Sequence, residues 1–354
     1  MGVCPLLLHS TRTRGTPAPP ADNAGVGTPE FDAVIARYDR FAREEAPGRS
    51  ALYAEWAAGI VADAATARIL ARIPATHRQP PLVFAVTRML GAPEAGFPRW
   101  AAWLGAHADE VVAECAARRI QTNEPLRCAA LLPALSLIDG PIALLEVGAS
   151  AGLCLYPDRY SYRYDTGHGV RRIDPPSGPS PVVLRSRLTG DPALRMPEVV
   201  WRAGIDLEPL DARDPRDRAW LTGLVWPGEE GRRERVEAAL AVAAADPPLM
   251  IAGDAADALA AAAPRAPRDA TLVVTTPGVL VHIPRARRSA VIEAARTAGR
   301  WITIDEPALH EGWSSVPAPW PGGFALALDG DILAAVDPLG AGVEWLPVAG
   351  HDRP

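Results

Sequence analysis

No lysine occurs among the 354 residues; all 36 basic positions are arginine. A Schiff-base enzyme of the pyridoxal type needs an amine, a P-loop needs its phosphate-binding ammonium, and a protein kinase needs its strand lysine. Those classes are excluded. Cysteine is scarce: Cys4, Cys115, Cys128 and Cys154 form no C-x-x-C pair, and the seven histidines show no H-x-x-x-H or H-E-x-x-H spacing. No metal site is expected. The cysteine usage suits a reducing cytoplasm, where the protein is expected to reside. Long apolar runs are also missing. The Ala-rich stretch 255–263 is bounded by Pro247, Pro248 and Asp254 before it and Pro264 after it, so no membrane span is expected. The opening MGVCPLLLHSTRTRG holds an apolar run too short for a signal peptide. Net charge is −6 and the pI is about 5.7. A basic footprint is therefore absent, and no nucleic-acid partner is expected. Nothing in the chain specifies an oligomeric state.

What is present is an ordinary globular composition, 48% hydrophobic and 22% charged, with length for about two domains. Residues 1–28 are rich in Pro, Gly and Thr without periodicity and are expected to be disordered. From 29 to 140 the texture is helical, a cap without strands. PEFDAVIARYDRFAREE and ALYAEWAAGIVADAATARILARI repeat apolar residues at i, i+3, i+4 and i+7. Two further helices are expected over Asp109–Arg119 and Pro125–Leu137. At Pro141 the texture changes. IALLEV (142–147) reads as a buried parallel strand. Further strands are expected at 161–165, 199–205, 249–253, 271–276, 301–305, 324–328 and 332–336, with helices at 229–245, 254–263 and 285–298. Asp329-Gly330-Asp331 marks a hairpin between the last two strands. Strands alternating with helices over 141–350 predict an α/β domain, mostly parallel and closed by an antiparallel hairpin. Residues 166–197 read as an insertion.

The chemistry concentrates in LLEVGASAGLCL (144–155). A buried strand ends at Glu146 and runs into Gly148-Ala149-Ser150-Ala151-Gly152. Small residues there let a ligand approach the backbone, and a following helix start would supply free N–H groups. A dinucleotide site needs G-x-G-x-x-G, and Ser150 and Leu153 stand at its second and third glycines. G-A-S-A-G matches the nucleophile elbow G-x-S-x-G, with Asp254 and His282, or Asp305 and His310, as the remaining pair. Against that reading, the 140 residues upstream read helical, where an α/β hydrolase places several strands before its serine, and no His-Gly oxyanion sequence lies upstream.

The stretch also resembles the first motif of class I S-adenosylmethionine-dependent methyltransferases, E/D-x-G-x-G-x-G, through Glu146, Gly148 and Gly152, with Ser150 at the middle glycine. The later segments follow in the same order. VVWRAGIDLEPLD resembles the second strand, whose terminal acid holds the ribose hydroxyls; Asp206 is the candidate and Asp165 its rival. IAGDAADAL resembles the third-strand motif, with Asp254 and Ala255 against the adenine. TLVVTTPGVLVHIPRARR, which holds Thr275 and His282, resembles the fourth strand and the loop beyond it, and the hairpin at 324–336 resembles the last two strands. Over roughly 35–347 the chain is similar to the bacterial family called domain of unknown function 2332, through RIQTNE (119–124) with Arg127, LLPAL, EVGASAGL, GIDLEPLD and WLTGLVWPGEEGRR. Cys154 stands where that family commonly has Asn.

The resemblance implies a Rossmann-like methyltransferase fold under a helical cap, with S-adenosylmethionine as cofactor and a small-molecule substrate. It implies Glu146, Gly148, Ser150 and Gly152 at the methionine end, Asp206 at the ribose, and Asp254, Ala255 and Thr275 near the adenine. His282 or Glu124 would take the acceptor's proton. A serine hydrolase using Ser150 and a non-catalytic binding member are the alternatives. Asn123 can also serve as an N-cap, and Glu124 with Arg127 as a local ion pair. Trp220, Trp226, Trp301, Trp313, Trp320 and Trp345 are expected in the core, and the arginines of RARR (285–288) on a solvated face.

Overall fold

The structure, a computed structural model, describes residues 27–121, 123–310, 313 and 323–346. The expected disordered lead, apart from residues 27 and 28, and Trp320 lie outside the described residues.

Seven helices precede the first strand: α1 (Pro29–Arg40), α2 (Ala51–Ala62), α3 (Ala64–Ala71), α4 (Pro80–Met89), α5 (Phe97–Ala106), α6 (Ala108–Ala117) and α7 (Arg127–Leu135). Their starts are written in side chains. Thr28 accepts the Phe31 N–H and Pro29 sits where a helix has no use for an N–H. The run expected as one helix over 51–73 divides in two. Asp63 leaves helical geometry and caps α3, accepting the N–H groups of Ala65 at 3.2 Å and Thr66 at 3.3 Å. Tyr38, Phe41, Tyr53, Trp56, Phe84 and Trp100 fill the helical layer, with Trp56 stacked on Trp100 at 5.0 Å. Trp220 and Trp226, from more than a hundred residues later, complete it. Arg88 anchors their segment, donating to the carbonyls of Gly223 at 2.9 Å and Val225 at 2.8 Å.

The sheet has eleven strands: β1 (Pro141–Val147), β2 (Ser161–Asp165), β3 (Val170–Ile173), β4 (Val183–Thr189), β5 (Glu198–Asp206), β6 (Leu249–Ala252), β7 (Thr271–Pro277), β8 (Arg300–Asp305), β9 (Phe324–Leu328), β10 (Asp331–Val336) and β11 (Gly342–Trp345). Their spatial order is β3-β2-β4-β11-β10-β9-β8-β7-β1-β5-β6. From β8 through β7, β1 and β5 to β6 every pair is parallel, while β8 to β11 form an antiparallel meander. The fold is α/β with a mixed, mostly parallel sheet.

One expectation is corrected here, that of the closing hairpin. The stretch 166–197, expected as an insertion, is built of sheet. It carries β3 and β4, which with β2 form a second wing. β4 reads V-L-R-S-R-L-T, and its Leu184, Ser186 and Leu188 point inward while Arg185 and Arg187 stay exposed, a period of two. The hairpin at 324–336 is present, turning at Asp329 and Gly330, both with φ above +50°. It does not close the sheet, because β11 follows and pairs parallel with β4.

Four later helices, α8 (Pro215–Gly223), α9 (Arg232–Ala245), α10 (Ala255–Ala262) and α11 (Arg285–Ala298), complete the chain. Alternation along β1 sends Ile142 and Leu144 into one core, with α7 and α9, and Leu145 and Val147 into the other, with α10 and α11. Among the described residues no helix is long and apolar enough to cross a membrane.

Candidate functional site

β1 pairs with β5 on one side and with β7 on the other; β6 lies beyond β5 and β8 beyond β7, so the strand order reverses at β1. A crevice beyond the carboxyl ends of the strands lies at such a reversal. A cleft of about 490 Å³ opens there. Its polar wall is Arg119, Gln121, Arg127, Ser150, Asp206, Glu208, Asp254 and His282, and its apolar wall includes Ile120, Val147, Leu207, Val279, Ile283 and Val291.

The loop after β1 is built against β5. The N–H groups of Gly148 and Ala149 both donate to Ile205 O, at 2.8 and 3.1 Å, and Ser150 N–H donates to an Asp206 oxygen at 2.8 Å. These amides are therefore spent within the fold, and the expected cradle of free N–H groups is corrected. The expected helix start is corrected as well. Only a 3-10 turn, Leu153–Leu155, follows, and Pro157, which lacks an N–H, stands just beyond. Gly148 has a φ of +75°, and a Cβ there would lie 2.4 Å from Val279 Cγ2. Its glycine identity lets the β7 loop close over the β1 loop. Gly152 also has positive φ, at +73°, but does not line the cleft.

Ser150 has a φ of +53°, a conformation that costs a side-chain-bearing residue about 1–2 kcal/mol. Its hydroxyl donates to Gln121 Oε1. Among the described residues no imidazole bonds it, so the Ser-His-Asp arrangement of a hydrolase is not assembled around it. The other candidate pair, Asp305 and His310, bonds at 2.9 Å, away from the cleft lining.

Asp206 ends β5 with both oxygens occupied by N–H donors, from Ser150 at 2.8 Å and Glu208 at 3.0 Å. Each oxygen keeps lone-pair capacity for a ligand hydroxyl. Asp165, the rival, lies on the far wing, where it accepts from Gly167 N at 3.0 Å. Asp254 and Ala255 line the cleft at the start of α10. The Asp254 carboxylate caps that helix through Ala256 N at 3.2 Å and pairs with Arg287 at 2.9 Å. The arginines of RARR at 285 and 287 are exposed, as expected, and Arg287 also pairs with Asp254. Arg288 donates to the carbonyls of Leu280 and Ile283.

Glu146 faces away from the cleft, toward the α7 core. It is buried, and its Oε2 has no hydrogen-bond partner. Burial, then the neighbouring Cys154, pushes its carboxyl well above the usual range, against the pull of Arg127. Thr275 sits opposite Glu146 in the β1–β7 register and is buried beneath the cleft floor. His282 stands at the cleft mouth. Desolvation by the cleft walls, with the Arg127 charge adding to it, holds its imidazole below the ordinary value of 6.5.

Glu124 is not at the cleft. Its carboxylate is buried and accepts from Arg232 at 2.7 Å, from Arg235 at 3.1 Å and from Leu126 N at 3.0 Å. The expected local pair of Glu124 with Arg127 is replaced by this ion pair with α9. Asn123 is no cap of α7, which begins after Leu126; its Oδ1 accepts Leu153 N–H at 3.3 Å and braces the β1 loop. Of the tryptophans, Trp220, Trp226, Trp301 and Trp313 are buried and none lines the cleft.

Arg127 is the residue that sequence reading undervalued. It reaches across to the end of β7, donating from Nη1 to Pro277 O and from Nε to Pro338 O, both at 2.9 Å. Its membership in the segment shared with the family was the one available signal. Among the described residues no group of His, Cys, Asp and Glu could hold a metal ion.

Fold and cleft together define an α/β protein with a cleft at the strand ends of a mixed, mostly parallel sheet. The chain belongs to the family "Uncharacterized protein conserved in bacteria (DUF2332)", whose model matches residues 35–345. No curated protein and no solved structure matches it.

Proposed function

We propose that this protein is a methyltransferase that takes S-adenosylmethionine and modifies a small molecule. The observation that carries the reading is Asp206, a carboxylate at the carboxyl end of the strand beside β1, aimed into a cleft with lone pairs to spare. Taken without the β2–β4 wing, β6, β5, β1, β7 and β8 stand third, second, first, fourth and fifth in chain order. That is the doubly wound order, which supports a Rossmann-like methyltransferase fold.

The residues fit the cofactor on two counts. The cleft volume, about 490 Å³, falls within the roughly 300–1,000 Å³ of small-molecule sites. Asp206 offers two acceptor oxygens for a vicinal diol. S-adenosylmethionine supplies an electrophilic methyl group on a sulfonium, a good leaving group, so the protein's part is alignment.

Asp206 would hold the ribose, Asp254 and Ala255 the adenine, and Gly148 and Ser150 would stand beside the amino-acid end. Val279, Ile283 and Val291 would exclude water from the reacting end of the cleft. His282, held in its neutral form, would accept a proton from an acceptor that has one to lose. Ultraviolet cross-linking with radiolabelled S-adenosylmethionine tests the reading. Label is expected in peptides holding 147–150, 205–208 or 277–284, competed away by S-adenosylhomocysteine. Label elsewhere, or none, contradicts it.

A further inference from the structure

Arg127 is a cation without a carboxylate. Several arginines withdrawn from water are matched: Arg88 with Glu94 at 2.7 Å, Arg202 with Asp158 at 2.8 Å, Arg232 with Glu124 at 2.7 Å. Arg78 and Arg288 bond backbone carbonyls instead, but neither lines the cleft, as Arg127 does. Arg127 is half-buried, and its two intramolecular bonds go to the neutral carbonyls of Pro277 and Pro338. Among the described residues no carboxylate lies within ion-pair distance of it. Charges taken out of water are ordinarily paired. Glu146, the acid that acts on it through space, is held toward its neutral form by burial and does not balance it.

The guanidinium is also presented. The bonds from Nε and Nη1 fix its plane and leave Nη2 uncommitted. Nη2 lies 3.0 Å from where a Cβ of Gly278 would be. Glycine at 278, with a φ of +71°, keeps that edge open to the cleft. A planar donor edge of this kind suits a carboxylate. Around it the wall is apolar, made by Val279, Ile283, Pro284 and Val291. Asp206 and Asp254 lie at the ends of β5 and β6, on one side of β1. Arg127 lies at the end of β7, on the other side, with His282. The two halves of the cleft therefore offer two different chemistries.

We propose that the β7 side of the cleft binds an amphiphilic carboxylate, its anionic head on Arg127 and its apolar body against Val279, Ile283 and Val291. Only the naming of this ligand as the methyl acceptor rests on the methyltransferase reading. Its carboxylate is a handle for binding and takes no part in bond making.

The test is a titration of the full chain with sodium octanoate and with octanamide, which shares the body and lacks the charge, followed by calorimetry and thermal melting. Octanoate is expected to bind about tenfold more tightly than octanamide, the scale of one charge-assisted hydrogen bond. In Arg127→Gln that preference is expected to vanish, and in Arg127→Lys to survive in part. S-adenosylhomocysteine affinity is expected to stay within about twofold in both variants. Equal binding of the two probes by the wild type, no octanoate binding, or a preference that persists in Arg127→Gln overturns the proposal. Loss of S-adenosylhomocysteine binding in Arg127→Gln with 5′-methylthioadenosine binding intact also overturns it, by assigning the arginine to the cofactor's own carboxylate. Should Arg127→Gln fail to fold, the wild-type comparison of the two probes decides. Failure of the wild type to bind S-adenosylhomocysteine while preferring octanoate removes the methyltransferase reading and leaves the carboxylate site standing.

Discussion

The Ser150 amide donates to the Asp206 carboxylate at 2.8 Å, tying the loop after β1 to the end of β5. One carboxylate thus fixes the loop and faces the ligand. Asp206→Ala is expected to weaken S-adenosylhomocysteine binding by about 1.5–3 kcal/mol. It is also expected to lower stability by about 1 kcal/mol, since Ser150 and Glu208 each lose an acceptor. Calorimetry and urea unfolding on the same preparation check both. Unchanged affinity would remove Asp206 from the site.

Glu124 predicts the opposite separation. Glu124→Ala leaves Arg232 and Arg235 without their shared carboxylate inside the fold. Breaking a buried ion pair from one side costs about 3–5 kcal/mol. A loss of that size in urea unfolding is expected. Binding of S-adenosylhomocysteine by the folded fraction is expected to be unaltered, because Glu124 does not line the cleft.

The Glu146 carboxyl is raised in the folded chain, so the folded state holds its proton to higher pH than the unfolded state does. Its contribution to stability is complete below the ordinary carboxyl value of 4.5 and declines as pH rises through the folded value. Glu146→Gln removes this decline. Unfolding free energies measured from pH 4 upward should fall less steeply for the variant than for the wild type. Parallel curves would contradict a raised Glu146 carboxyl.

His282 is shifted the other way. Its folded value lies below 6.5, so the stability it contributes is complete above 6.5 and is lost as pH falls through the folded value. An NMR titration, with the resonance assigned by its absence in His282→Asn, is expected to show a midpoint below 6.5. A midpoint above it would remove the neutral imidazole from the proposed proton transfer.

Much of the sheet was legible because its central strands carry unbroken apolar runs. β2 and β9 match their expected spans, and β1, β5, β7 and β8 lie within one residue of theirs at each end. β3 and β4 were hidden because arginines interleave their inward residues and prolines flank them. The division of α2 from α3 was hidden because Asp63 interrupts no apolar stripe; it acts by capping alone. In the cleft, Asp206, Asp254, Ala255, His282, Gly148 and Ser150 were found from their places at strand ends and loops. Glu124 misled because its partners, Arg232 and Arg235, lie more than a hundred residues away. Arg127 was undervalued because being unpaired is a property of the fold and leaves no mark in the sequence.

The most direct measurement is a calorimetric titration of the intact protein with S-adenosylmethionine and with S-adenosylhomocysteine. The account predicts saturable binding of both at one site per chain, in the micromolar range, abolished or strongly weakened in Asp206→Ala. No heat with either ligand up to millimolar concentration would contradict the cofactor assignment and the methyl transfer built on it.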